Sequence, residues 1–139
     1  MIQIISGRKG KGKTKHLLDM ANKAITEAHG TIVYLDKNSK HMFELNNRIR
    51  LIDVFSYPVH SYESFLGFVS GIISTDHDLE QMYLDSFLKL SHLDACEIEG
   101  AVEDLKRISE KYSVNFILSV SEDDENLPLN ARDCTILAL

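Results

Sequence analysis

Ile2-Gln3-Ile4-Ile5-Ser6-Gly7-Arg8-Lys9-Gly10-Lys11-Gly12-Lys13-Thr14 is the stretch from which the rest of the chain is read. Its first five residues are an Ile-rich apolar run that stops at a glycine, the pattern of a short buried strand. Residues 7–14 match G-x-x-x-x-G-K-[ST], the phosphate-binding loop. The match needs two glycines, a lysine and a hydroxyl residue at fixed offsets, roughly a 0.5% event by chance in a chain of this length. Residues 14–29 follow with Leu17, Leu18, Ala21, Ala24, Ile25 and Ala28 at helical spacing, and Gly30 is the expected C-cap. Strand, loop and helix in that order are the setting the motif requires.

Each residue type in the loop has a physical task. Glycine at 7, 10 and 12 opens backbone conformations closed to other residues and lets the main chain approach a ligand. The N–H groups of the loop and the positive end of the following helix then attract an anion. Lys13 is expected to reach the β- and γ-phosphates of a nucleotide and to act in catalysis, and the Thr14 hydroxyl to ligate Mg²⁺. The expected nucleotide-binding residues are therefore Gly7, Arg8, Lys9, Gly10, Lys11, Gly12, Lys13, Thr14 and Lys15. Arg8, Lys9, Lys11 and Lys15 are not demanded by the motif; they raise the local potential. A Mg²⁺ site also needs an acid, usually an aspartate at the end of an apolar strand. Met82-Tyr83-Leu84-Asp85 supplies it, so Asp85 joins Thr14 as the metal pair. Asp36 and Asp53 also end apolar runs and are its rivals.

Outward from the loop, strands and helices alternate. Strands are expected at 31–35, 50–55, 81–84, 114–120 and 135–139, helices at 61–74 and 94–112, and an acidic loop at 121–126. This predicts an α/β fold: a mostly parallel sheet of five to six strands with helices on both faces. No Pro/Gly/Ser-rich linker divides it, so residues 1–139 are expected to form a single domain.

Composition narrows the function classes. The chain has 139 residues, 44% hydrophobic and 26% charged, ordinary for one globular domain. No apolar stretch approaches the roughly 18 residues of a membrane helix, and the N-terminus lacks the pattern of a signal peptide. Two cysteines, Cys96 and Cys134, with no Cys-x-x-Cys pair, argue against a zinc site and fit a cytoplasmic protein. The net charge of −6 hides an asymmetry: residues 1–50 hold 10 Lys/Arg and 4 Asp/Glu, the remainder 5 and 17. The basic residues around the loop suggest a local anion site. The acidic remainder speaks against broad nucleic-acid binding. Asp76-His77-Asp78 with Glu80 reads as a solvated loop, and Glu97, Glu99, Glu103, Asp104 and Glu110 as the wet face of a helix.

Order and spacing resemble the RecA-like ATPase core shared by bacterial recombinases and replicative helicases. The likeness runs from residue 2 to about 120. It rests on the phosphate loop, Leu35-Asp36, the Ser56-Tyr57-Pro58 turn, and Leu84-Asp85-Ser86 as the Walker B strand. The resemblance implies a P-loop NTPase that binds ATP and Mg²⁺ and meets partners or further copies of itself. In that family an acid near the end of the second strand orients the attacking water. Here the stretch reads Leu35-Asp36-Lys37-Asn38, so Asp36 is the candidate base and Asn38 an amide in the glutamate's place. The strand after Walker B ends Leu118-Ser119-Val120-Ser121, without the amide that senses the γ-phosphate. No Glu follows Asp85. Arg132 stands before the last strand, where such assemblies present an arginine finger to a neighbour.

Other phosphate-loop classes fit less well. No Asn-Lys-x-Asp run for guanine occurs, no transporter signature is present, and no arginine-rich lid of the small-molecule kinases appears. The pilus-retraction and secretion motors share this core but add an N-terminal domain and histidine-bearing boxes without counterpart here. The expectation is a nucleoside-triphosphate·Mg²⁺-binding protein, for ATP, with weak or partner-dependent hydrolysis. Its alternatives are a small-metabolite phosphotransferase and a non-catalytic nucleotide-responsive module.

Overall fold

The computed structural model describes residues Met1–Leu139. Six strands make one sheet: β1 (Ile2–Ser6), β2 (Thr31–Asp36), β3 (Arg50–Asp53), β4 (Leu79–Leu84), β5 (Asn115–Val120) and β6 (Thr135–Ala138). Their order is β3-β2-β4-β5-β1-β6 and every pairing is parallel. Parallel neighbours need crossover connections. The helices α1 (Lys13–Ile25), α2 (Tyr62–Thr75), α3 (Phe87–Ser91), α4 (Ile98–Tyr112) and α5 (Leu129–Arg132) lie within them.

Side chains alternate along the strands, and the alternation divides the core in two. Ile4, Val33, Leu35, Met82, Leu84 and Phe116 face α2, α3 and α4 in a cluster of 25 buried residues. Ile5, Ile32, Tyr34, Tyr83 and Ile117 lie on the other face, beneath Leu17, Leu18, Ala21 and Ile25 of α1, in a cluster of 11. Both faces are covered, which is why the strands read as continuous apolar runs. Ser61 caps α2, accepting from the Ser64 amide at 3.1 Å, an arrangement worth about 1 kcal/mol.

Four sequence expectations shift. Residues 26–29 do not continue α1, whose C-cap is Thr26 rather than Gly30. Gly30 is required for another reason: a Cβ there would strike the Asp78 carbonyl, and its amide donates to Glu80. Asp76, in turn, accepts from the Thr31 hydroxyl and the Asp78 amide, so these acids lock the entries of β2 and β4. For the same reason β4 begins at Leu79, which pairs with Thr31, and not at 81. Finally, β3 ends at Asp53 in a 3₁₀ turn, Val54–Ser56. The helix expected from residue 94 opens as another 3₁₀ turn, Ala95–Glu97, before α4. No helix is long and apolar enough to cross a membrane.

Candidate functional site

β1, β2, β4 and β5 are neighbours, and their C-terminal ends open onto one polar cavity of about 400 Å³. Of its eleven lining residues none is hydrophobic. The C-terminal edge of an open parallel sheet is where such folds gather ligands. Lys9, Gly10, Gly12, Lys13 and Thr14 form one wall; Lys37, Asp85, Ser86 and Lys89 face them; Ser119 and Ser121 close the side.

The loop wall is an array of donors. Gly10 and Gly12 have φ of 89° and 88°, and no atom lies within 4 Å of where a Cβ would stand. Glycine is therefore needed for the left-handed backbone, not to relieve crowding. The amides of Lys9, Gly10, Gly12, Lys13 and Thr14 make no backbone hydrogen bond. Lys13 is only 7% exposed, and its Nζ donates to the Arg8 carbonyl at 2.9 Å. Burial lowers the pKa of this ammonium; the Lys37 charge adds to the effect and Asp85 opposes it.

Asp85 is fixed by three hydroxyls from three elements. Tyr34 donates to Oδ2 at 2.8 Å, and Ser119 to Oδ1 at 2.8 Å. Thr14 Oγ1 lies 3.2 Å from the same Oδ1. The two expected metal residues, Thr14 and Asp85, thus come from separate elements to one point at the cavity floor. Sequence reasoning missed Tyr34 and Ser119. The available signal was strand alternation, which puts Tyr34 with Asp36, Tyr83 with Asp85 and Ile117 with Ser119 on the α1 face. A lone serine inside the buried run of β5 marks such a partner.

Asp36 ends β2 beside Asp85, one step beyond the Leu35–Leu84 pair. It is buried, and its Oδ1 accepts from the Lys37 amide at 2.7 Å. Its Oδ2 has no partner. Burial and then the charge of Asp85 push its pKa up to about 6, against the Lys37 amide and the nearby His41 and Lys37. A carboxyl with a raised folded-state pKa binds more protons folded than unfolded between the two values. Stability is therefore lost as pH rises from about 4 to about 6. Asp36→Asn is expected to flatten that window and to raise stability at pH 7 by about 1–3 kcal/mol, the upper end being the linkage value of a shift of about two units. Urea unfolding of both proteins at pH 4.5 and 7 checks this; parallel pH dependence would contradict it.

Lys37 and Lys89 belong to the cavity and were not expected there. Lys37 follows β2, with Nζ 3.5 Å from Ser86 Oγ. Ser86 has a left-handed backbone, φ 58°, costing a non-glycine residue about 1–2 kcal/mol. This turn sends the chain from β4 directly into α3 and so brings Lys89 to the cavity rim. The Ser86 amide donates to Ser119 Oγ at 2.7 Å, which holds the turn.

The other candidates lie apart. Gly7 is buried against Leu139. Arg8 points outward and pairs with Asp123 at 2.8 Å, tying the loop to the acidic turn. Lys11 and Lys15 are exposed and do not line the cavity. Arg132 is exposed at the end of α5, also outside it. Asp53 opens onto a larger groove of about 700 Å³ along edge strand β3, which contains none of the loop residues. Asn38 turns its carbonyl to the Lys40 amide at 3.0 Å. The sequence matches no protein-family model and no curated protein.

Proposed function

We propose that this chain binds a nucleoside triphosphate, ATP, with Mg²⁺ in the polar cavity, and hydrolyses it weakly or only with a partner. One observation carries the reading: a complete G-x-x-x-x-G-K-T loop whose Lys13 and Thr14 face Asp85 at the C-terminal ends of parallel strands. The donor set fits the ligand. Five unpaired amides and a buried ammonium suit phosphate oxygens. A hydroxyl–carboxylate pair suits a hard cation that keeps most of its water. Mg²⁺ would supply charge neutralisation across the β- and γ-oxygens. The same motif order, with the loop after β1 and Leu84-Asp85-Ser86 closing β4, supports placing the fold among RecA-like P-loop cores. Cys96 and Cys134 are both unpaired, in keeping with a cytoplasmic location.

Calorimetric titration of the chain with ATP, with and without Mg²⁺, tests this reading. Binding that Mg²⁺ strengthens is expected; no binding at millimolar ATP would end it. Asp85→Asn should weaken the Mg²⁺-dependent part about tenfold, the lower end for removing a partner that orients a metal site. The variant keeps an acceptor for Ser119, so its thermal unfolding should stay close to that of the parent. If Asp53→Asn abolishes the Mg²⁺ effect and Asp85→Asn does not, the metal residue has been misassigned.

A further inference from the structure

The phosphate loop accounts for one wall of the cavity; the opposite wall carries two cations that the motif does not include. We propose that Lys37 and Lys89 receive the terminal phosphate of the bound nucleotide, so that the chain distinguishes tri- from diphosphate with its own residues. This deepens the nucleotide-site reading and rests on it.

Three observations converge. First, the two lysines reach the cavity from different elements, Lys37 from the end of β2 and Lys89 from α3, on either side of Ser86. Both line the cavity that also holds Asp85, which with Thr14 would hold the cation. Second, no carboxylate satisfies them. The ion pairs of the chain involve Arg8, His41 and Arg107 and none of the cavity lysines. Four lysines gathered around one polar space and tied up in no ion pair repel one another, and an anion relieves that repulsion.

Third, the charges match. Among the residues lining the cavity four lysines, Lys9, Lys13, Lys37 and Lys89, stand against one carboxylate, Asp85. That excess of positive charge favours Mg²⁺·triphosphate, which carries two negative charges, over Mg²⁺·diphosphate, which carries one. Removing Lys37 and Lys89 takes away most of the excess.

The backbone that carries the two lysines is fixed, while the Lys89 side chain itself is exposed. The Lys37 amide is pinned to Asp36 Oδ1, and α3 is anchored by buried Phe87 and Leu90.

The test is calorimetry with Mg²⁺·ATP and Mg²⁺·ADP on the wild type, on Lys37→Ala/Lys89→Ala and on Lys37→Arg/Lys89→Arg. The wild type should prefer ATP by about 10–150-fold, the range for a hydrogen bond between charged groups. The alanine pair should lose most of that preference, keeping only what Lys13 contributes, with ADP affinity unchanged. The arginine pair, which keeps the charge, should restore most of the preference. Equal losses for ATP and ADP, or a preference that survives the alanine pair largely intact, would overturn the inference. The second result is also what a wall built for a phosphorylated acceptor would give. Wild type that binds both nucleotides equally overturns the inference alone; wild type that binds neither overturns the reading beneath it.

Discussion

Lys13→Ala is expected to weaken Mg²⁺·ATP binding by about 1.5–3 kcal/mol, roughly 10–150-fold, the cost of losing a hydrogen bond to a charged group. Lys13 opens α1 at the mouth of the loop and is nearly buried, its only close partner the Arg8 carbonyl. No carboxylate forms an ion pair with it. An ammonium in that position is held at a cost that only an anion offsets. Two consequences separate this from a structural role. The alanine variant should unfold no more easily than the parent, because it removes a poorly compensated charge. Its affinity loss should also apply in part to ADP, which keeps the β-phosphate that the loop lysine is proposed to meet. Calorimetry showing equal ATP affinity for the two proteins would defeat the assignment of Lys13 as a ligand, and with it the reading of the loop.

What the sequence discloses of this site follows the range of the interactions. Residues 7–14 are contiguous, so their pattern appears without knowledge of the fold. Asp85 was visible because a strand-ending acid follows an apolar run, but Asp36 and Asp53 share that pattern. They separate only when β2 and β4 pair and Thr14 meets Asp85 rather than either rival. Lys37 and Lys89 were invisible for a related reason. They become neighbours of the loop through strand order, and α3, at five residues, is too short to show a helical period. Tyr34 and Ser119 read as core and as a strand end, and only the face they share reveals them as partners of Asp85. Gly30 shows the converse. Its helix-ending signal was plausible locally, while the approach of the Asp78–Glu80 segment, some fifty residues away, determined its place.

Turnover by the isolated chain is expected to be slow, below about 1 s⁻¹, the low end of ordinary enzymes. Phosphoryl transfer depends on positioning the nucleophile and stabilising the developing charge. The groups that could place a water are otherwise engaged. Asn38 is held in its own turn, and Ser119 donates to Asp85. Asp36 has a pKa near the range that suits a general base, but it is 2% exposed and does not line the cavity. Lys37 and Lys89 are proposed to hold the terminal phosphate already in the ground state, and contacts made there add affinity rather than rate. What remains missing is a cation recruited in the transition state. Such an arginine supplied by a neighbour is worth about 10³–10⁵ in rate. Arg132, exposed on α5 and far from engaged, is the donor available to a second copy. The rate per chain should therefore climb with protein concentration, and Arg132→Ala should remove the climb while leaving the dilute rate and ATP affinity untouched. A dilute rate above about 1 s⁻¹ would refute this. It would mean that water reaches the unpaired Oδ2 of Asp36 once nucleotide binds, and Asp36→Asn should then abolish turnover.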